Sequence, residues 1–282
     1  MRRGSKMVLI ILGLVVVMVL VVLLPQSVLQ KRFARIQDLF VQNLEAEDGE
    51  FTLQELEGYP LPVQRFFTEG GFIGKQKMRA LQATFTNVPF SLGRDKPTVE
   101  IDYTQLNAAS VPLRYAYIDS RIYGLPFEGL DSFAEGKGSM EGYLVKRFRL
   151  FNQMGSHMDK ACLVTYLAEA FFLPTVALSD MICWESIDET HAKATMKAYD
   201  TEVSGVFTFS KEGEMLRFTT DDRMAVTMDG AMERVPWSAE CSDYVMQDGM
   251  RIPTRLKATW HYQEGDLLYF DGSDVQITYY YM

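Results

Sequence analysis

The protein has 282 residues, a formal net charge of −9 and 48% hydrophobic residues, so it can form one large domain or two small ones with a substantial core. The acidic balance argues against a nucleic-acid-binding protein, because neutralising phosphates requires clustered Lys and Arg. Direct adhesion to anionic lipid is disfavoured for the same reason.

The first predicted element is an uncharged apolar run at residues 7–24. At about 1.5 Å per residue, a helix of this length spans roughly 27 Å, which is close to the thickness of the hydrocarbon core. A cleaved signal peptide would have a shorter apolar stretch followed by an A-x-A-like site, and residues 25–30 contain no such site. We therefore predict a membrane anchor, with residues 1–25 forming a short cytoplasmic tail and the transmembrane helix.

The charges that flank the anchor predict its orientation. Three basic residues precede it closely, namely Arg2, Arg3 and Lys6, whereas those on the other side begin further away, at Lys31. This small excess favours an amino terminus in the cytoplasm. The rest of the chain has 25 basic and 37 acidic residues, a net charge of −12. It is expected to lie outside the cytoplasm, as part of a single-pass membrane protein.

Residues 26–58 are predicted to form a juxtamembrane helical segment. Within residues 27–43, apolar side chains such as Leu29 and Phe33 recur with helical spacing on one stripe. The globular domain is predicted to cover residues 59–282. It begins with a short helix that has Pro62 in its first turn and Gly70 at its end.

From about Lys77 onward, apolar and polar residues alternate, which is typical of antiparallel strands with one buried face. Hairpin dipeptides recur at Glu212-Gly213, Asp229-Gly230, Asp248-Gly249, Glu264-Gly265 and Asp271-Gly272. The strands do not alternate with helices, so a parallel sheet is not expected. We predict an α+β domain dominated by one large, curved, antiparallel sheet, similar to a half-barrel, with a few helices packed on or inside it.

One helix is predicted to interrupt the strands, over the apolar residues 161–172. Ser156 and Asp159 have the spacing of a capping box before it, and Pro174 ends it. The helix contains one charged residue, Glu169.

A carboxylate in an apolar helix is costly unless it is paired or exposed. We expect Glu169 to pair with a buried arginine, and the candidates are Arg65, Arg217 and Arg223. Exposure to solvent and a role in a pocket remain the alternatives.

No motif for enzyme or metal chemistry is found. None of the three histidines, His157, His191 and His261, lies in a metal-binding pattern, and there is no G-x-S-x-G elbow. The sequence Gly136-Lys-Gly-Ser139 lacks the residue order of a phosphate loop and is predicted to be a turn. The three cysteines, Cys162, Cys183 and Cys241, are predicted to be buried free thiols, with one disulfide as the alternative. We therefore predict no catalytic residue, metal or cofactor.

Several motifs resemble those of a bacterial family of uncharacterised function. Residues 166–178, YLAEAFFLPTVAL, resemble its Y-L-x-E-x-x-x-x-P-x-A-L segment, and residues 184–188, WESID, resemble its W-E-x-I-D strand. Later matches include Arg223, Trp237 and Tyr244. The resemblance covers about residues 61–280 and implies a domain family without a known activity. The meander also resembles the open half-barrel of periplasmic lipoprotein carriers, but a shared fold does not imply a shared function.

The leading interpretation is a non-enzymatic envelope protein whose sheet encloses a lipid or another hydrophobic molecule. The candidate pocket residues are Arg65, Tyr166, Glu169, Trp184, Arg223, Trp237, Tyr244 and Trp260. A membrane-tethered hydrolase that uses carboxylates such as Glu169 or Glu185 is one alternative. A protein-interaction module is the other.

Overall fold

The computed structural model of the protein describes residues 6–8, 10–13, 27–42, 49–226 and 232–281. Residues 6–8 and 10–13 are helical. Most of the predicted anchor, residues 7–24, lies outside the described residues, and within them no helix is long and apolar enough to cross a membrane. The helices that follow are α1 (Val28–Gln42), α2 (Leu61–Glu69), α3 (Ser156–Ala168) and α4 (Pro174–Ala177).

The strands make up most of the described residues. They are β1 (Ala80–Ser91), β2 (Thr98–Ala108), β3 (Leu113–Ile122), β4 (Leu125–Ala134), β5 (Lys137–Leu144), β6 (Phe148–Met154), β7 (Ile182–Ser186), β8 (His191–Ala198), β9 (Thr201–Phe209), β10 (Met215–Thr220), β11 (Met224–Val226), β12 (Met232–Arg234), β13 (Trp237–Gln247), β14 (Met250–Tyr262), β15 (Gly265–Gly272) and β16 (Gln276–Tyr280).

One antiparallel sheet contains 14 of these strands, in the order β6-β5-β4-β3-β2-β1-β15-β14-β13-β10-β9-β8-β7, with β16 also paired to β1. The chain starts in the middle of the sheet at β1 and runs strand by strand to the edge at β6. Helices α3 and α4 then lead to the opposite edge. Strands β7 to β10 and β13 to β15 return to the middle, where β15 and β16 both pair with β1, and β11 and β12 form a separate two-stranded sheet. The predicted α+β fold with an open, curved antiparallel sheet is confirmed.

Helix α3 lies against one face of the sheet, called here the inner face, because the strands beneath it carry small residues. A Cβ atom on Gly138 of β5 would lie 2.4 Å from the carbonyl oxygen of Met158 in α3. A larger side chain at Gly138 would push the helix away from the sheet. Ala192 and Ala194 of β8 are fully buried in the main core.

Helix α1 covers the opposite, outer face of β1 to β4. Leu29, Phe33 and Phe40 form a second core cluster with Leu106 and Leu130, and the Phe33 ring stacks on Tyr117 with 5.3 Å between centroids. A helix is therefore present where the stripe in residues 27–43 predicted one, and it packs on the domain. Residues 49–58 of the predicted helical segment are not helical, and Phe51 and Leu56 are buried in the main core. Both faces of these central strands are covered, by α1 on one side and α3 on the other.

The structure corrects the predicted boundaries of the inner helix. Helix α3 ends at Ala168, and Glu169 is its non-helical C-cap. The expected capping box does not form, because Gly155 is the N-cap residue and no side chain caps the helix. Asp159 accepts a hydrogen bond from the backbone N–H of Gly138 instead, at 2.7 Å.

Two predicted turns also differ from expectation. Asp271-Gly272 is not a hairpin turn, because it ends β15 and the next strand, β16, pairs with β1 and not with β15. Asp229-Gly230 lies outside the described residues. The remaining three dipeptides connect strands that pair with each other. All three cysteines are free, as predicted, but Cys183 on the edge strand β7 is exposed.

Phe33→Ala should weaken the packing of α1 on the sheet by about 3 kcal/mol, because it removes a buried ring and leaves a cavity. Hydrogen exchange of the full chain in detergent measures this change as faster exchange of the α1 amides. Val28→Ala is the matched control, because Val28 is an exposed residue of the same helix. Equal exchange in the two variants would contradict the packing described here.

Candidate functional site

A cavity of about 350 Å³ lies between α3 and the inner face of the sheet. Its wall on the sheet side is largely apolar and comes from β13, β14 and β15, with Trp237, Ala258, Trp260 and Phe270. Met158 and Ala161 of α3 line the other side. The curved sheet is therefore not filled completely by the helix and the aromatic rings.

Arg223 lines the same cavity just before β11. Its guanidinium carbon lies 4.4 Å from the ring centroid of Trp237 and 5.2 Å from that of Trp260. Its Nε atom is buried without a hydrogen-bond partner, and no carboxylate of the described residues forms an ion pair with it. The charge of Arg223 is therefore stabilised by two aromatic faces, at about 0.5–2 kcal/mol each.

A buried ion pair forms the polar end of the cavity. The Nε atom of Arg114 donates to both oxygens of Glu169, at 3.2 and 2.9 Å, and the side-chain amide of Asn107 donates to Glu169 at 2.8 Å. All three residues are buried. Asn107 and Arg114 are directly paired across β2 and β3, so the strand register brings both side chains to the end of α3.

The other nitrogens of Arg114 continue this network. Nη1 donates to Asp131 at 2.8 Å, and Nη2 donates to the phenol oxygen of Tyr103 at 2.5 Å. Burial alone would lower the pKa of Arg114, but Glu169, Tyr103 and Asp131 raise it well above its usual value. Burial raises the pKa of Tyr103, so its hydroxyl group keeps its proton.

Sequence comparison with protein families shows where this domain belongs. Residues 49–272 match the model of DUF6544, a family of unknown function. The chain belongs to this family. No curated protein matches it.

Three solved structures resemble this DUF6544 member at low identity. A DUF1329 family protein from Desulfovibrio piger ATCC 29098 has a TM-score of 0.40 and 14% identity, covering 77% of this chain and 90% of that one. A Vibrio parahaemolyticus domain assigned as an outer membrane lipoprotein-sorting protein has a TM-score of 0.38 and 12% identity, covering 71% of this chain and 85% of that one. A LolA superfamily protein from Nitrosomonas europaea has a TM-score of 0.36 and 12% identity, covering 76% of this chain and 92% of that one.

Four of the eight residues predicted for a pocket line the cavity, namely Glu169, Arg223, Trp237 and Trp260. The other four are held elsewhere by contacts with backbone carbonyl groups. Tyr166 donates to Ala108 at 2.6 Å, Trp184 to Ala177 at 2.9 Å, Tyr244 to Met215 at 2.6 Å and Arg65 to Glu189 at 3.3 Å. The cavity thus brings together half of the predicted set.

The predicted partners of Glu169 were wrong. Arg65 and Arg223 lie outside its hydrogen-bond network, and Arg217 pairs with Glu240 on the exposed surface. The true partner, Arg114, alternates in β3 with Leu113, Tyr115 and Tyr117, and alternation alone would place that apolar face in the main core and Arg114 in solvent. That face packs against α1 on the outer side, so Arg114 points inward.

Three residues on neighbouring strands form a chain of hydrogen bonds like that of a serine hydrolase. Ser238 Oγ lies 2.8 Å from His261 Nε2, and His261 Nδ1 lies 2.9 Å from Asp266 Oδ1. A nucleophilic serine must reach a substrate carbonyl group, but Ser238 has no exposed surface. It also alternates with Trp237 and Ala239, which line the cavity, so it faces the outer side of the sheet. The arrangement therefore fits a structural link between β13, β14 and β15.

The carboxylates considered for hydrolysis are also engaged. Glu169 accepts hydrogen bonds from Arg114 and Asn107 at both of its oxygens, and Glu185 pairs with Lys193 at 2.8 Å on an exposed edge strand. Among the described residues, no group of three or more His, Cys, Asp or Glu side chains could hold a metal ion. The cavity is the feature with the clearest capacity to bind a molecule.

Arg114→Met should lower the free energy of unfolding by about 3–5 kcal/mol, because Glu169 would remain buried without its cation. Chemical denaturation of the full chain in detergent measures the change. Adding Glu169→Leu to Arg114→Met should recover part of the loss, because an apolar pair leaves no buried charge.

Arg255→Met is the matched control, since Arg255 also contacts a carboxylate through two nitrogens, at Asp271, but on a partly exposed surface. Arg255→Met should therefore lower the free energy of unfolding only slightly. If Arg114→Met costs no more than Arg255→Met, the ion pair is not the main link between α3 and the sheet.

Proposed function

We propose that the domain binds one lipid-like molecule in the cavity while residues 7–24 hold it at the outer surface of the cytoplasmic membrane. The apolar part of the ligand lies among Trp237, Trp260 and Phe270. Its head group lies near Arg223 and Tyr103. The protein therefore binds or carries an amphiphile and does not itself change it chemically.

The unfilled cavity is the observation that carries this proposal. Protein interiors are normally packed as densely as organic crystals, with few voids larger than a water molecule. A space of about 350 Å³ is within the range of about 300–1,000 Å³ that is typical of small-molecule sites. Largely apolar walls with a few polar groups at one end are also typical of such sites. An amphiphile would satisfy both parts of this lining.

The polar groups indicate which head group fits. Arg114 is already paired with two carboxylates, those of Glu169 and Asp131, whereas Arg223 has no ion pair within the described residues and lies over two aromatic faces. Tyr103 accepts a hydrogen bond from Arg114, which leaves its own O–H group as a donor. Both Tyr103 and Arg223 line the cavity. Their unused hydrogen-bond donors and the charge of Arg223 favour a head group that accepts hydrogen bonds and carries negative charge.

Ala258→Phe tests whether the cavity holds the ligand, because it places a ring where an apolar chain would lie. The full chain in lipid nanodiscs is irradiated with a diazirine-labelled fatty acid, and the attached peptides are identified by mass spectrometry. We expect labelling in peptides around Trp237 and Trp260 for the unchanged protein, and at least a tenfold loss, or about 1.4 kcal/mol, in Ala258→Phe.

Lys257→Met is the control, because Lys257 is the adjacent residue on the opposite face of β14 and forms no part of the cavity wall. The fatty-acid probe should label Lys257→Met as strongly as the unchanged protein. Labelling confined to residues 7–24, or unaffected by Ala258→Phe, would contradict binding in the cavity.

Arg223→Leu tests the head group separately. The substitution removes the charge and keeps an apolar side chain beside Trp237. We expect it to reduce labelling by the diazirine fatty acid by about tenfold but to leave labelling by the matching fatty alcohol nearly unchanged, because charge-assisted contacts contribute about 1.5–3 kcal/mol. An equal loss for both probes would mean that Arg223 shapes the cavity and does not bind an anion.

A further inference from the structure

Two neighbouring hairpin turns carry a local charge opposite to that of the whole protein. Residues 121–127 connect β3 to β4, and residues 144–150 connect β5 to β6. These 14 residues contain four basic side chains, Arg121, Lys146, Arg147 and Arg149, and no acidic one, although the protein has a net charge of −9. We call these two turns the basic tip surface.

The basic tip surface is also rich in exposed apolar side chains. Tyr123 is 87% exposed, Phe148 65%, Leu150 55% and Leu125 43%. Arg121, Arg147 and Arg149 are exposed beside them. Aromatic side chains combined with Lys and Arg are typical of the interface between a membrane and water, where rings lie at the level of the head groups and basic groups contact anionic lipids.

Helix α1 begins beside this surface. Ser27 lies beside the hydroxyl group of Tyr117, which donates a hydrogen bond to Glu128 at 2.9 Å, and Lys146 of the tip lies 3.6 Å from the same carboxylate. Glu128 is three residues from the start of β4, so α1 begins about 10 Å from the tips, at about 3.3 Å per strand residue.

From its beginning, α1 extends away from the tips. Gln37 contacts Gln82, and Phe40 belongs to the cluster with Ala80 and Ala108, at the other end of β1 and β2. The chain that precedes Ser27, which contains the apolar residues 7–24, therefore joins the domain at the end that carries the basic tip surface.

The cavity also reaches this end of the sheet. In an antiparallel meander, alternate turns lie at the same end, so the turn between β1 and β2 lies on the same side as the two tips. Leu92 and Gly93 of that turn line the cavity, as does Tyr262 at the end of β14. The turn that borders the cavity therefore lies at the end of the sheet that carries the basic tip surface.

We propose that the basic tip surface contacts an anionic lipid bilayer, with Tyr123, Phe148 and Leu150 among the head groups and Arg147 and Arg149 on the lipid phosphates. The proposal rests on the proposed membrane anchorage. The overall acidic charge opposes adhesion of the rest of the domain, so it orients the domain with this end toward the membrane.

The experiment compares two tyrosines in similar turns that lie far apart, because β4 separates the turn of Tyr123 from the turn against which Tyr199 packs. Tyr123 and Tyr199 both have positive φ, at 51° and 54°, and Tyr199 packs against the turn between β4 and β5 at Gly136. Each is replaced by Cys in a Cys183→Ser background and labelled with the fluorophore NBD. The full chain is placed in liposomes of phosphatidylcholine, with or without phosphatidylglycerol, that contain brominated acyl chains.

We expect the bromine atoms to quench the label at position 123 but not that at position 199, and quenching at 123 to increase with phosphatidylglycerol. Each basic residue near an anionic surface favours contact by about fivefold, or about 1 kcal/mol. Arg147→Glu combined with Arg149→Glu should therefore abolish the effect of phosphatidylglycerol. Equal quenching at the two positions, or none at 123, overturns the proposal.

Extraction of the same liposomes with sodium carbonate reports separately on the anchor. If the chain stays with the lipid but the label at position 123 is not quenched, the basic tip surface is refuted and the anchorage stands. If carbonate removes the chain, the anchorage fails, and the quenching at 123 still decides whether the tips contact lipid. Fatty-acid labelling of the cavity is independent of both results.

Discussion

The ion pair between Glu169 and Arg114 is the interaction on which the inner half of the structure depends. A charged pair that is buried this deeply is stable only if nearly every donor and acceptor has a partner. Asn107 and Tyr103 of β2 and Asp131 of β4 provide those partners from the two strands beside β3. The network fixes the carboxyl end of α3 over β2 and β3. Asp159 fixes the other end through Gly138 in β5. With both ends held at the first half of the sheet, α3 leaves space in front of β13 to β15, and that space is the cavity.

The covering of both sheet faces explains why β1 to β4 do not show one simple alternation. The face that carries Leu106 and Leu130 packs under α1, and the opposite face packs under α3. Judged by hydrophobicity alone, either face of these strands could pack in the main core. Arg114 therefore looks like a surface residue between Leu113 and Tyr115, although it is 3% exposed. Arg114 is buried because α3 packs on the inner face, while α1 covers the apolar outer face, and both are properties of the assembled fold.

Local signals in the sequence predict most of the helices and strands, but they do not predict which distant strands pair with each other. Alternation and dipeptides such as Glu212-Gly213 indicate the meander, and the stripe through Leu29 and Phe33 indicates α1, because these features depend on residues close in the chain. The pairing of β16 with β1 joins residues about two hundred positions apart, and no turn dipeptide encodes it. Only half of the predicted pocket residues line the cavity, because aromatic residues favour strands whether they line a space or fill one. Trp184, for example, fills space by packing against Phe171 and Phe207.

The two arginines of the cavity differ in a way that bears on ligand binding. Arg114 donates to Glu169, Asp131 and Tyr103, and replacing any of these bonds with a ligand would leave a buried carboxylate or phenol without a partner. Arg223 lies between Trp237 and Trp260, and the aromatic faces compensate its charge only partly and without using its N–H groups. Within the described part of the chain Arg223 has no ion pair, so an anion could bind it there without breaking one. The fold thus uses one guanidinium group to hold α3 in place and leaves the other available at the wall of the space that α3 creates.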